Sequence, residues 1–395
     1  MIGRMRSTDI ALVTVTAILA SGSSAPITSL PDVAVVRLPD GAVQPELAVD
    51  DRGGVHMVYL TGDARAADVY YARSTDGGRT FARAVRVNSQ DGSAIAAGTV
   101  RGAQLALGTG GRVHVVWNGS DRAEPKPPVN PSTGRPGSPL LYSRSRGAAA
   151  FEAQRNLITQ TTNLDGGGAI AASGNTVAVG WHAHPASGEG GEEARRVWLA
   201  QSQDEGAAFS RERAISDPST GVCGCCGLRM LASAGDLHAL YRSATNGTGR
   251  DTYALRSRDG GRTFQSQRVH PWEIGACPMT TMAIAGRERL FQAWETDGQV
   301  YFTALDRPER PTAPVMTVVN DDARRKHPRL AVNRDGSILL VWTEGTAWAR
   351  GGSIAWQVFD PAGSPTSVRG SRPGLPVWGF AAAVARPDGG FTIIY

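Results

Sequence analysis

Four cysteines lie in two short segments of the 395-residue sequence, and they are the residues whose chemistry is most distinctive. Cys223, Cys225 and Cys226 form a Cys-Gly-Cys-Cys run, and Cys277 lies two residues before Met279. Thiolates and a thioether are soft ligands that suit Cu(I), whereas even numbers of cysteines in exported proteins form disulfides. The pattern therefore leaves three interpretations open: two disulfides that join neighbouring repeats, a copper site, or reactive thiols.

Two histidines are candidates for additional metal ligands. His182 and His184 lie two residues apart at the start of an acidic loop segment, and an imidazole nitrogen is a common copper ligand. His56, His114 and His238 instead recur at one position of a repeated pattern, which favours a structural role.

The pattern that must position these residues is a repeat. A short alternating hydrophobic run, a turn rich in Gly and Asp, and a second run that ends in an aromatic residue recur seven times. The aromatic residues are Tyr59, Trp117, Trp181, Tyr241, Trp294, Trp342 and Tyr395. Each copy has the pattern of a β-hairpin. An interval of roughly 50 to 60 residues with several strands per unit is typical of a β-propeller.

Further strand-like runs follow the hairpins, as at 68–74 and 82–88. Each unit is therefore predicted to be a blade of four strands, A to D. We predict an all-β propeller, with seven blades favoured over six, in a single domain that covers residues 26–395. The last copy ends at Tyr395 with strands A and B, and the segment 32–38 can supply a strand D that closes the ring.

A second motif recurs in the turn between the predicted strands C and D, at 74–81, 202–209 and 257–264. Its Asp can accept hydrogen bonds from the turn, its Gly can adopt a positive φ, and its Phe can anchor the turn in apolar packing. The motif residues are Ser74, Asp76, Gly78, Phe81, Ser202, Asp204, Gly206, Phe209, Ser257, Asp259, Gly261 and Phe264.

In these turns the sequence resembles the sialidase superfamily of Asp-box (BNR) repeat propellers, over about residues 33–395. The cysteine segments also resemble those of uncharacterised exported bacterial members of that superfamily. The resemblance implies the fold more than the function, because Asp boxes are structural. Sialidases hold the sialate carboxylate with three arginines and use a Tyr–Glu pair as nucleophile and an Asp as acid/base. The Arg-Ile-Pro motif of that family is absent.

Blade topology predicts that the B–C and D–A connections share one face, here called the top face. Long, irregular connections are where function usually lies. The resemblance makes charged residues of this face candidates for binding or catalysis, although none has a distinguishing motif. They are Arg101, Asp165, Arg229, Arg242, Arg250, Asp251, Glu295, Arg324 and Glu344.

From the resemblance we expect the top face to bind a glycan or another small molecule. If the protein is an enzyme, the expected activity is that of an exo-glycosidase of the sialidase type. Two alternatives from other classes stay open. One is a periplasmic copper or thiol-dependent protein centred on the cysteines, and the other is a non-catalytic scaffold that binds a protein.

Residues 1–25 are predicted to be a signal peptide, because arginines precede an apolar run at 10–20 and small residues follow it. The protein is therefore expected to be periplasmic or secreted. No run is long enough to predict a membrane span. The chain has 41 basic and 36 acidic residues, a net charge of +5 with no basic stripe, so nucleic acid is not an expected partner.

Overall fold

The computed structural model describes Met1, residues 30–147, 150–305 and 324–395, and the short strand Met316–Thr317. Apart from Met1, the predicted signal peptide lies outside the described residues. Residues Pro31–Tyr395 form one compact unit.

Within the described residues the strands form seven blades arranged in a ring, and one extra two-stranded ribbon. The first strand, β1 (Val33–Val36), belongs to the blade that closes the ring. Blade I contains β2 (Val43–Val49), β3 (Val55–Asp63), β4 (Ala66–Ser74) and β5 (Val85–Arg86). Blade II contains β6 (Gln104–Leu107), β7 (Val113–Asn118), β10 (Leu140–Arg144) and β11 (Arg155–Asn156), and its B–C connection forms the ribbon β8 (Val129–Asn130) and β9 (Arg135–Pro136). Blade III contains β12 (Ala169–Ser173), β13 (Thr176–Ala183), β14 (Arg196–Ser202) and β15 (Arg213–Ala214).

Blade IV contains β16 (Arg229–Ser233), β17 (Asp236–Arg242), β18 (Thr252–Ser257) and β19 (Gln265–His270). Blade V contains β20 (Ala283–Gly286), β21 (Leu290–Thr296), β22 (Gln299–Ala304) and β23 (Met316–Thr317). Blade VI contains β24 (Arg325–Val332), β25 (Ile338–Glu344), β26 (Gly352–Phe359) and β27 (Pro365–Leu375). Blade VII contains β28 (Ala382–Ala385), β29 (Phe391–Ile394) and β1. The prediction of an all-β propeller with seven blades is confirmed.

The described residues contain no α-helix, only three short 3-10 helices at Thr109–Gly111, Glu192–Ala194 and Pro218–Thr220. None of the described helices has the length and apolar character needed to cross a membrane.

The first strand of every blade faces the axis of the ring. Together the seven strands line a central channel with a cavity of about 420 Å³. Small side chains such as Ala106, Ala171 and Ala331 recur along these strands. Small residues fit this position because seven strands converge on one axis and leave little room for long side chains.

The aromatic residue that ends each predicted hairpin packs between neighbouring blades. Trp117 joins residues of blades I and II in one apolar cluster, Trp181 joins blades II and III, and Trp294 joins blades IV and V. All three indole side chains are fully buried. Burying such large apolar surfaces stabilises the contact between blades by roughly 2–3 kcal/mol per side chain.

Ring closure differs from the expectation in one respect. Strand β1 pairs directly with β29, in parallel, with Val33 opposite Phe391 and Val36 opposite Ile394. It therefore takes the third position of blade VII and not the fourth position expected for a strand D, and within the described residues that blade has three strands. The direction follows from connectivity. Because β1 must end at the top face to enter β2, it runs the same way as β29.

The three C–D turns that carry the Ser-x-Asp-x-Gly motif close with the same hydrogen bonds. In the first, Ser74 Oγ donates to Asp76 Oδ1 at 2.7 Å and accepts from the Gly78 N–H at 2.9 Å. Asp76 Oδ1 also accepts from the backbone N–H of Thr80 at 2.9 Å. Gly78 has φ 83°, which explains the glycine at this position. The turns at 202–209 and 257–264 repeat the serine contacts.

Candidate functional site

One residue from each inner strand forms a layer at the mouth of the channel. In each blade this residue lies opposite the residue that precedes the repeated aromatic on the second strand. The seven are Glu46, Gln104, Ala169, Arg229, Ala283, Arg329 and Ala382. Four of the seven are polar, although the rest of the channel is lined mainly by apolar side chains. The layer is therefore a polar ring around the axis, which we call the mouth ring.

Glu46 connects the two arginines of the mouth ring. Its Oε1 accepts from Arg229 in a short contact and from Arg329 Nη2 at 2.9 Å. Arg329 Nη1 donates to Thr281 Oγ1 at 3.0 Å, and its guanidinium lies 4.3 Å from the centre of the Phe380 ring. Burial lowers the pKa of Arg329 to about 9. The Glu46 carboxylate favours the charged form and offsets part of this cost.

An exposed aromatic patch lies above the channel on top-face connections. Trp348, in the connection between β25 and β26, is 52% exposed, and its ring centre lies 6.0 Å from that of Trp378. A Cβ atom placed on Gly98 would lie 3.3 Å from Trp348, and 3.7 Å from both Arg101 Nη1 and the Met279 methyl group. We call Trp348, Trp378, Arg101 and Met279 around Gly98 the mouth patch.

Gln44 fixes the mouth patch to the channel. It lies on β2, two residues before Glu46, and its side chain is fully buried. Its Nε2 donates to the carbonyls of Gly98 at 2.7 Å and Trp378 at 3.1 Å. The patch is therefore held by the same strand that carries Glu46.

A chain of ion pairs runs from the mouth patch towards the cysteines. Arg101 donates to Asp165 at 2.6 Å, and Arg195 lies 4.0 Å from the other oxygen of Asp165. Arg195 also approaches Glu192 at 3.6 Å, and Arg250 donates to Glu192 at 2.6 Å. Three of the predicted candidates, Arg101, Asp165 and Arg250, are therefore brought into one network.

The other predicted candidates have partners of their own. Arg242 is fully buried, donates to the backbone carbonyls of Arg250 at 2.6 Å and of Glu295, and lies over the Trp272 ring at 4.7 Å. Glu295 is also buried; burial raises its pKa, and its Oε1 accepts from the Gly298 N–H at 2.8 Å. These contacts give Arg242 and Glu295 a part in joining blades IV and V.

The contacts described for three other candidates are with residues outside the mouth patch. Asp251 accepts from the Trp272 N–H at 2.8 Å and from Arg268 at 3.4 Å. Glu344 accepts from the indole of Trp342 at 2.8 Å. Arg324 is exposed beside Gly298.

The four cysteines converge on the top face. Cys225 and Cys277 form a disulfide that joins the connections leading into blades IV and V. Cys223 and Cys226 are free thiols and buried. The Sγ of Cys223 lies 3.2 Å from the Sγ of Cys225, and the sulfur atoms of Cys223, Cys225 and Cys226 all lie within 4.8 Å of one another. One of the two expected disulfides is therefore present.

The two free thiols have different environments. A hydrogen bond from Cys226 lowers the pKa of the Cys223 thiol. Burial raises the pKa of Cys226 well above its usual value. Cys223 is therefore the thiol that ionises more readily, and a thiolate is the reactive form of cysteine.

The three additional ligand candidates have other surroundings. The methyl group of Met279 lies in the mouth patch, and His184 Nε2 contacts the Gly191 carbonyl at 2.8 Å. His182 is fully buried, burial lowers its pKa to about 3, and its ring nitrogens have no hydrogen-bond partner among the described residues. A Cβ atom on Gly166 would lie 2.8 Å from His182 Nδ1 and 2.9 Å from the carbonyl oxygen of Cys226.

Sequence reasoning missed Glu46, Arg329 and Trp348. An alignment of the seven repeats could have revealed the first two. At one equivalent position, three repeats carry a Glu or an Arg, and the other four carry Gln or Ala. Trp348 lies in a connection outside the repeated pattern, so alignment of the repeats does not reveal it.

No protein-family model matches the chain, and no curated protein matches it either. Among solved structures, an α-L-arabinanase from Penicillium chrysogenum complexed with arabinobiose has a TM-score of 0.54 at 12% identity, over 85% of this chain and 99% of that one. A protein of unknown function from Dyadobacter fermentans has a TM-score of 0.51 at 13% identity, over 88% of this chain and 98% of that one. These two similarities are similarities of fold.

Sialidases also match. The Trypanosoma rangeli sialidase in complex with the inhibitor DANA has a TM-score of 0.49 at 11% identity and matches over 78% of this chain. This chain spans 54% of the length of that sialidase.

Proposed function

We propose that the protein recognises carbohydrate through the mouth patch on its top face. The observation that carries the proposal is the exposed indole of Trp348 beside the Arg101 guanidinium. An aromatic ring offers a flat apolar surface for the C–H face of a sugar, and a few polar groups at its edge fix the orientation of the ligand. Arg101 Nη1 borders the patch, while Arg101 Nη2 is held by Asp165 at 2.6 Å.

The charges around the mouth patch favour a neutral sugar. Glu46 already engages Arg229 and Arg329, and Asp165 engages Arg101. A ligand carboxylate such as that of sialic acid would lie near the Asp165 carboxylate if it accepted from Arg101 Nη1, and the two like charges would repel each other. The hydroxyl groups of a neutral sugar can accept from the same Nη1 atom without that repulsion.

The enzymatic form of this proposal is an exo-glycosidase. Glycoside hydrolysis requires two carboxyl groups on either side of the scissile bond, and Asp165 is the carboxylate that the ion-pair chain brings to the edge of the mouth patch. Hydrolysis is therefore tested separately from binding.

We further propose that the protein works outside the cytoplasm. The Cys225–Cys277 disulfide supports this, since disulfides persist in oxidising compartments.

Binding is tested on a glycan array of neutral and sialylated oligosaccharides, followed by calorimetry with the best ligand. Trp348→Ala is expected to weaken binding at least about tenfold, which corresponds to roughly 1.4 kcal/mol. Val129→Ala removes another exposed apolar side chain, outside the mouth patch, and is the matched control.

Two results would contradict the proposal: the absence of binding to any sugar on the array, or affinity that Trp348→Ala leaves unchanged. A preference for sialosides would contradict the argument from charge. Release of reducing sugar from a bound oligosaccharide, lost in Asp165→Asn, would establish the enzymatic form.

A further inference from the structure

A free thiol lies against a disulfide in the cysteine cluster. The Cys223 Sγ is 3.2 Å from the Cys225 Sγ, closer than two sulfur atoms that merely pack together, and Cys225 is bonded to Cys277. We propose that the four cysteines form a thiol–disulfide exchange site that passes an electron pair from the buried thiols Cys223 and Cys226 to a disulfide in solution. This inference goes beyond carbohydrate recognition and does not depend on it.

The exposure of the four sulfur residues gives the exchange a direction. Cys223 and Cys226 are fully buried, Cys225 is partly buried, and Cys277 is exposed. A disulfide in solution therefore cannot reach the two thiols directly, whereas it can reach Cys277. Thiol–disulfide exchange from Cys223 to Cys225 and on to Cys277 is the route that connects the buried thiols with the surface.

The backbone around the cysteines holds this arrangement in place. The Cys223 N–H donates to the Arg242 carbonyl at 2.9 Å, and the Gly224 N–H donates to Glu192 at 2.9 Å. The Gly227 N–H donates to the Thr280 carbonyl at 2.9 Å. These bonds fix the Cys-Gly-Cys-Cys loop on both sides of Cys225, so the thiol and the disulfide meet in a constant position.

The first step moves the disulfide inwards. The Cys223 thiol loses its proton to solvent, and the thiolate attacks the Cys225 sulfur. The Cys223–Cys225 bond forms, the Cys225–Cys277 bond breaks, and Cys277 leaves with the electron pair and can take a proton from water. Such exchange proceeds by attack of a thiolate on a disulfide sulfur.

In the second step the Cys226 sulfur attacks Cys223, the Cys223–Cys226 bond forms, and Cys225 leaves and takes up the proton that Cys226 loses. No electrons are gained or lost in these two steps. The sulfur atoms of Cys223 and Cys226 lie within 4.8 Å, so a short approach of the two side chains brings them to bonding distance.

The third step reduces the external disulfide. The Cys277 thiolate attacks it and releases one thiol. Cys225 then attacks the Cys277 sulfur of the mixed disulfide and releases the second thiol. The external disulfide gains two electrons, and the protein ends with two internal disulfides, Cys223–Cys226 and Cys225–Cys277.

The exchange is tested by alkylating the purified, folded full chain with iodoacetamide at pH 8 and mapping the labelled peptides by mass spectrometry. In the wild type we expect the label on Cys277, with a disulfide among Cys223, Cys225 and Cys226. In Cys223→Ser the attacking thiol is missing, and labelling of Cys277 is expected to fall at least tenfold. Reduced Cys223→Ser serves as the accessibility control, because its Cys277 must label fully.

Cys226→Ser is the second variant, and it stays informative if Cys223→Ser does not fold. It keeps the attacking thiol, so Cys277 is still expected to label, but the internal disulfide must stop at Cys223–Cys225. Circular dichroism and thermal unfolding check both variants. With oxidised glutathione as probe, the wild type is expected to release two glutathione molecules per chain, and Cys223→Ser none.

Three results would overturn the proposal. The first is label on Cys223 or Cys226 while Cys225–Cys277 remains intact. The second is equal labelling of Cys277 in the wild type and Cys223→Ser. The third is a metal ion held by four thiolates in the purified protein, with no disulfide.

Discussion

Glu46 is a single carboxylate that serves two arginines of the mouth ring. Arg229 and Arg329 reach it from blades IV and VI, and all three side chains are largely buried. Removing one partner from a buried ion pair leaves the other charge without compensation, which is costlier than the net contribution of the pair itself. The stability of the channel mouth therefore depends on this residue more than on either arginine.

We expect Glu46→Gln to lower the free energy of unfolding by about 3 kcal/mol, since two guanidinium groups lose their counter-charge. Urea denaturation at neutral pH measures this. The matched control is Gln104→Ala in the same ring, which removes one hydrogen bond to the Leu228 carbonyl and should cost about 1 kcal/mol. Equal losses for the two variants would contradict the role given to Glu46.

At the residue scale the sequence predicted the cysteine cluster better than the charged site. The cysteines are rare, and their two segments precede equivalent strands of successive repeats, so topology alone brings them together. The arginines are common, and topology could assign them only to the top face. Which carboxylate each arginine meets depends on side-chain directions across the ring, and no local pattern encodes these.

The motif turns are the elements that repeat most faithfully. In each, the serine hydroxyl donates to the Asp carboxylate and accepts from the glycine N–H. One buried oxygen therefore holds the start of the turn to its middle. Ser143, on β10 of blade II, is a buried serine outside these motif turns, and its Oγ donates to the Glu152 carbonyl at 2.7 Å.

We expect Ser74→Ala to destabilise the protein by about 1–2 kcal/mol, because the buried Gly78 N–H loses its acceptor and Asp76 loses a donor. Ser143→Ala is the matched control. It removes one hydrogen-bond donor from the Glu152 carbonyl, which water can replace, and should lower the free energy of unfolding by less. Thermal unfolding of both variants gives the comparison. A larger loss for Ser143→Ala would show that the motif serine does not carry the turn.

At the element scale the inner hairpins and the closing role of the segment 32–38 could be predicted, but the strand beside which that segment pairs could not. Alternating hydrophobic residues and a terminal aromatic give each A–B hairpin a local signal. The segment 32–38 has the same strand signal wherever it pairs. Its place beside β29 depends on the direction in which the chain must enter β2, which is a property of the closed ring.

All seven histidines of the chain share one electrostatic property. In His56, His114, His182, His184, His238, His270 and His327, burial lowers the pKa below its usual value. The values reach about 4 for His114 and about 3 for His182. Between these values and about pH 6.5 the unfolded chain binds more protons than the folded protein.

We therefore expect the free energy of unfolding to have its full value above about pH 6.5 and to fall as the pH decreases below that. Each histidine that stays neutral in the folded protein lowers it by up to roughly 1.4 kcal/mol per pH unit. Carboxylates such as Asp50 and Asp76, whose pKa values are lowered to about 2, continue the loss below about pH 4. Glu295, with its raised pKa, acts in the opposite sense.

Urea denaturation at a series of pH values from 7 to about 4.5 tests this expectation. His182→Asn should reduce the slope even if it lowers stability at every pH. An unfolding free energy that stays constant between about pH 6.5 and 5 would contradict the assignment of neutral histidines to the folded state.

At the scale of the whole molecule, the number of repeats and their interval predicted the propeller and its seven blades. The position of the mouth patch could not be predicted in this way. Trp348, Trp378 and Arg101 come from connections of blades I and VI that are far apart in the sequence, and only the closed ring brings them around Gly98. A binding surface built from several irregular connections has no counterpart in a repeated pattern.

The mouth ring also bears on how the molecule unfolds. In open repeat arrays each unit touches only its neighbours, so the units can melt separately. Here Glu46 on β2 is tied to Arg229 on β16 and Arg329 on β24, which belong to blades that are not adjacent to blade I. Loss of any one of these three blades breaks a contact on the far side of the ring, so the propeller should melt in one cooperative transition.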